Sequence, residues 1–166
     1  MKKIRILTIF LFLALFTGCV GTEYTFSNME VPSKNKDLSF NITPTGKSIS
    51  AGYSAFILEV ENKTNRDMEI DWNRTNYVKN NSTNGTFMFE GILYKDRNAP
   101  KSNDVIFANS TFQKIIYPNN YVNFDSYGWS HYGTGSGVQG AYITIIDDNK
   151  IIKEKVLVDI QEKTQN

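Results

Sequence analysis

The chain holds one histidine, His131, and one cysteine, Cys19, and each limits a different chemistry. A histidine serves as general base only with a nucleophile and an orienting carboxylate in reach. Ser130 and Ser136 lie beside His131, and Asp125 is close in sequence, so the residue types for acyl transfer are present. The pattern goes no further. No G-x-S-x-G elbow opens a helix here, and no catalytic residue is assigned. Zinc is disfavoured as well, because one histidine and one cysteine cannot supply a tetrahedral nitrogen and sulfur set. Oxygen donors for calcium occur at Asp147, Asp148 and Asn149, and at Asp96, Asn98 and Asp104. They lack EF-hand spacing and read as solvated turns, so neither a metal nor a cofactor is expected.

The most distinctive stretch is Tyr127-Gly128-Trp129-Ser130-His131-Tyr132-Gly133-Thr134-Gly135-Ser136-Gly137. Its glycines permit unusual backbone angles, and exposed aromatics on a loop can anchor a partner. Tyr127, Trp129, His131 and Tyr132 are therefore the candidate binding residues. The structural alternative is a long connection whose aromatics fold back over one end of the domain. A phosphate loop is excluded, since no Gly-Lys-Ser/Thr opens a helix.

Cys19 is informative because of what precedes it. Met1 to Arg5 is short and basic, Ile6 to Phe16 is a nearly unbroken apolar run, and Thr17 and Gly18 are small. This is the pattern of a secretory signal peptide, and the run falls short of the roughly 20 residues that cross a bilayer. With the cysteine directly behind the small residues, Leu15-Phe16-Thr17-Gly18-Cys19 resembles the lipobox of bacterial lipoproteins, although Phe16 stands where leucine is commoner. The resemblance implies lipidation at Cys19, cleavage after Gly18 and a membrane anchor outside the cytoplasm. That membrane would be the outer one in a Gram-negative cell, or the outer face of the plasma membrane in a Gram-positive one. Cleavage without lipidation is the alternative.

Of the 166 residues, 148 follow Gly18, enough for one domain with its own core. Lys2, Lys3 and Arg5 lie in the leader, so 18 basic residues fall to 15 against 17 acidic, a net of −2. Such a balance argues against nucleic acid as a partner and against a polybasic grip on anionic lipid. With its single cysteine acylated, the chain can form no internal disulfide.

The expected organisation is a leader over 1–18, a lipidated cysteine and tether over 19–36, and one domain over 37–166. Within the tether, Tyr24, Phe26, Met29 and Val31 could instead pair on a sheet edge. The body reads as strands. Phe56, Leu58 and Val60 alternate along 54–61, and Met68, Ile70 and Trp72 along 67–72, a period-2 pattern that fits half-buried antiparallel strands. Further strands are expected at 38–43, 105–107, 111–117, 121–124, 141–146 and 151–160. The segment 86–94 is apolar on both faces and suits a central strand. A Gly-rich loop spans 127–140, and Asp147-Asp148-Asn149-Lys150 is a hairpin turn by composition. Short strands without helix signals predict an all-β, antiparallel β-sandwich of immunoglobulin-like type, with a small β-barrel as the alternative.

The block Asp71-Trp72-Asn73-Arg74-Thr75, Gly85-Thr86-Phe87-Met88-Phe89-Glu90-Gly91 and Tyr94-Lys95-Asp96-Arg97 is similar to the core of a group of small bacterial lipoproteins without assigned activity. The resemblance implies localisation and fold, not mechanism. From the residues themselves, Arg74 or Arg97 could pair with Glu90 across strands. The functional expectation is a non-enzymatic envelope lipoprotein, held to a membrane through Cys19 and binding an envelope protein or glycan. The alternative is an envelope hydrolase or enzyme inhibitor working through the 127–140 loop.

Overall fold

In the computed structural model, residues 21–30, 35–48, 51–126 and 128–164 are described, without the side chains of Ser48 and Trp129. Cys19 and Tyr127 lie outside them. The protein is nearly all β, with antiparallel sheets. Among the described residues no helix is long and apolar enough to cross a membrane.

Among the described residues thirteen strands follow in chain order: β1 (Thr22–Met29), β2 (Leu38–Ser48), β3 (Gly52–Asn62), β4 (Met68–Ile70), β5 (Asn76–Lys79), β6 (Ser82–Thr83), β7 (Phe87–Met88), β8 (Asp104–Ile106), β9 (Ser110–Pro118), β10 (Val122–Asp125), β11 (Gly128–His131), β12 (Gly137–Asp147) and β13 (Lys150–Thr164). A seven-stranded sheet runs β1-β13-β12-β4-β8, with β5 also on β12 and β6 on β5. A four-stranded sheet runs β2-β3-β9-β7, and β10 pairs with β11 alone. Both larger sheets feed one hydrophobic core. Ile70, Tyr77, Ile143 and Val158 come from the first, and Ile42, Phe56, Leu58 and Ile116 from the second.

Several expected boundaries shift for identifiable reasons. Thr22–Met29, expected within a tether, pairs along β13 from Thr22↔Thr164 to Met29↔Leu157, and Tyr24 is buried in the core. β2 continues through Pro44 to Ser48. A proline costs little there because β2 is an edge strand, where a missing N–H breaks no inner ladder. The expected strand over 86–94 reduces to Phe87–Met88 against Pro118 and Tyr117. Gly91 then turns the chain at φ +90°, and Tyr94–Asp96 form a 3-10 turn. That segment is apolar on both faces because Phe87 and Phe89 enter the core and Ile92 packs against it. The expected 127–140 loop is also shorter: Gly128–His131 is strand β11 and β12 begins at Gly137. The hairpin turn at Asp147–Lys150 forms as expected.

The Asp71–Thr75 block interrupts what would otherwise be one strand. β4 and β5 lie on the same side of β12, with Ile70 opposite Ile145 and Asn76 opposite Tyr142. Five residues therefore span a gap that two would fill. Their polar groups close on themselves. Asp71 N–H donates to Thr144 O (2.9 Å), Thr75 Oγ1 to Asp71 O (2.8 Å) and Thr144 Oγ1 to Arg74 O (2.8 Å). Arg74 Nε donates to Asp71 Oδ2 (2.5 Å). Such closure lets an irregular segment stay buried without orphaned groups, and it delivers Trp72 to the core at 1% exposure.

Candidate functional site

Trp72 lies buried beneath the first surface feature and supports residues that line it. Its Nε1–H donates to Asp104 Oδ2 (2.7 Å) at the start of β8. Lys114 of β9 donates its ammonium to the same oxygen and lies 3.9 Å from the centre of the Phe89 ring. The Trp72 and Phe89 rings are 5.1 Å apart. A lysine held by a carboxylate over two aromatic faces combines ion pairing with a cation–π contact. Above this group opens a cleft of about 540 Å³, lined by Phe89, Glu90, Leu93, Asp96, Lys101 and Asp104 among others. Lys101 donates to Arg97 O (2.9 Å), and burial lowers the pKa of its ammonium.

Leu93 is also the edge of a second, almost wholly apolar hollow of about 330 Å³, shared with Tyr94, Lys95 and Phe124. Leu93 is 60% exposed and Phe124 59%. The Tyr94 and Phe124 rings lie 5.5 Å apart, and the Arg97 guanidinium sits 4.3 Å over the other neighbour's ring, that of Tyr94. Arg97 and Arg74 thus stack on Tyr94 and bind Asp71, and among the described residues neither forms an ion pair with Glu90. Glu90 instead lies close enough to Tyr117 for its charge to add to burial in raising the phenol's pKa.

The sequence-derived site residues divide. Phe124 stands opposite Trp129 in the β10–β11 ladder, Asn123 opposite Ser130 and Val122 opposite His131. Asp125 is at the tip of this hairpin, opposite Gly128. The His131 ring stacks on Tyr117 (4.9 Å between centres). Tyr132 is 57% exposed, and its hydroxyl accepts from Asn123 Nδ2 (3.0 Å). Ser136 lies outside the hairpin, just before β12.

The glycine-rich remainder, 133–136, is bound into the fold. Thr134 donates through N–H and Oγ1 to Tyr53 O (2.8 and 2.9 Å), and Gly135 N–H to Ala51 O (3.0 Å). Lys79 caps Thr134 O and reaches Tyr121 OH (3.0 Å). Tyr77 OH donates to Gln139 Oε1 (2.6 Å), whose amide donates to Gly135 O (2.7 Å). Burial, then the neighbouring Tyr121, pushes the Tyr77 phenol far above its ordinary value, so it stays a neutral donor.

One carboxylate of each turn set is engaged by a basic side chain. Asp147 accepts both Arg66 Nε (2.6 Å) and Nη2 (2.7 Å), and Asp104 is occupied as described. Among the described residues no group of three or more His, Cys, Asp or Glu side chains could hold a metal ion. Sequence reasoning missed Leu93, Tyr94 and Lys114, which stand in the segments 86–94 and 111–117 that read as strands, and it singles out Asp104 only as an oxygen donor for calcium. For Asp104 a second signal is the long connection that leads to it from residue 95, because long loops concentrate function.

Comparison of the chain with protein-family models, with curated proteins and with solved structures gives no match.

Proposed function

We propose that the chain is a non-enzymatic envelope lipoprotein, anchored through Cys19 and presenting the Leu93–Tyr94–Phe124 surface to a protein partner. The observation that carries this reading is the grouping of two strongly exposed large apolar side chains and an aromatic ring around one hollow. Single exposed apolar residues need no explanation, but contiguous ones mark interaction sites. Lys95 lines the hollow and Arg97 stacks on its Tyr94 ring, and the adjoining cleft supplies Glu90 and Asp96, an apolar centre with a charged border. The body is read as a β-sandwich of immunoglobulin-like type. One core fed by both larger sheets supports that arrangement. The barrel alternative would need the edges of the two larger sheets joined, and among the described residues no ladder links one sheet to the other.

The test is cross-linking in intact cells followed by capture of the tagged, full-length protein. Wild type is expected to retain a stoichiometric protein partner that the Leu93→Ser/Phe124→Ser variant loses, while Cys19→Ser alone loses incorporation of a palmitate analogue. Retention of the partner by the double variant, at wild-type abundance, would overturn the assignment of this surface. Equal palmitate labelling of wild type and Cys19→Ser would overturn the anchor.

A further inference from the structure

The start of β1 limits how far the body can stand from Cys19. Only Val20 and Gly21 separate Cys19 from Thr22, and three peptide links reach at most about 11 Å. Around Thr22 the contacts gather one end of the molecule. Thr22 lies opposite Thr164 and Glu23 opposite Lys163. Glu23 also pairs with Lys47 (3.6 Å). Gly52 abuts both Tyr24 and Gly135, and Gly135 is tied to Ala51.

The contacts of the opposite end are equally definite. Lys63 N–H donates to Asp37 O and Asn109 N–H to Thr64 O (both 2.9 Å), and Arg66 clasps Asp147 in the β12–β13 turn. β3 runs from the first end to the second, Gly52 to Asn62. Its ten steps of about 3.3 Å separate the two by about 33 Å.

We infer that the end formed by Thr22, Lys47, Gly52 and Gly135 is a membrane-facing surface, held at the lipid headgroups, with the Asp147–Lys150 turn pointing away. This rests on the lipid-anchor reading of Cys19. The chemistry of the near end suits a polar headgroup layer: glycine backbone, threonine hydroxyls and a Lys47–Glu23 pair that cancels its own charge. Tyr132, more than half exposed, adjoins Gly133 at this end, and tyrosine favours the membrane–water interface. The glycine-rich stretch 133–136 is then part of the face turned to the membrane.

Acylated Cys19 leaves the chain without another thiol, so single introduced cysteines can be labelled cleanly. The full-length lipidated protein would be reconstituted in phosphatidylcholine vesicles carrying a headgroup nitroxide, a contact-range quencher. Fluorophores at Lys47→Cys and Lys163→Cys are expected to lose most of their emission, and those at Asn65→Cys and Asn149→Cys to keep theirs. Ten Gly/Ser residues inserted between Gly21 and Thr22 should restore emission at position 47 while leaving the protein on the vesicles. Equal quenching at both ends, or quenching confined to 65 and 149, overturns the orientation while leaving the anchor intact. Protein that carries no acyl group by mass, and does not join the vesicles, overturns the anchor itself and the orientation with it.

Discussion

At the scale of single residues, polar side chains act as clasps between segments distant in sequence. Asn62 is buried, and its amide donates to Arg66 O (2.8 Å), Ile106 O and Phe107 O (both 3.2 Å). Its carbonyl oxygen accepts from Thr64 N–H and Oγ1 (3.0 and 2.8 Å). The loop after β3 is thereby tied to β8. Arg66 and Asp147 form a second clasp, and its pH dependence can be worked out. Hydrogen bonds from Arg66 hold the Asp147 carboxyl below its ordinary range. Its contribution to stability is therefore complete above the unfolded aspartate value of about 3.9 and is lost as pH falls through the lower folded value. Arg66→Gln should be less stable than wild type at neutral pH, with the two denaturation midpoints converging in acid. A gap of constant size across that window would show that Asp147 does not respond to Arg66. The candidate residues are unevenly legible at this scale. His131 and Tyr132 stand out by type, but Leu93 is an ordinary leucine, and only its 60% exposure makes it notable.

At the scale of elements, close backbone approach decides where glycine is required. Gly140, at φ +155°, lies in β12 between β5 and β13, and a Cβ there would meet Val156 O at 2.0 Å. A Cβ on Gly133 would meet Ala51 O at 1.8 Å. Both obstacles are backbone atoms, which cannot rotate away. Gly140→Ala should cost about 1–3 kcal/mol, the range of overpacked interiors, measured from the urea midpoint at unchanged slope. An unchanged midpoint would mean that β12 shifts freely against β13. Alternating segments such as 54–61 are readable from sequence because one buried face repeats every second residue. The stretch 86–94 is not, since its apolar residues serve a turn and a cap on the core, where no period exists.

At the scale of the whole molecule, the amino-terminal segment belongs to the fold. β1 covers the β13 edge and inserts Tyr24 into the core. Removing residues 22–29 from the full chain should cost at least about 3 kcal/mol, comparable to deleting one buried aromatic. A deletion variant with the wild-type urea midpoint would return the segment to the role of a tether. The sequence by itself determined the class of the protein: antiparallel strands from period-2 alternation, the 147–150 hairpin from its turn residues, and one core from length and composition. It also held the leader pattern ending at Cys19. The tertiary structure alone decided that Thr22–Met29 pairs with a strand more than a hundred residues away, that Trp72 enters the core through an interruption between two strands, and that Leu93 meets Phe124 at one hollow. The physical reason is the range of the forces. Alternation and turn chemistry are local, whereas edge pairing and the joining of loops into a surface depend on which distant segments fold against each other.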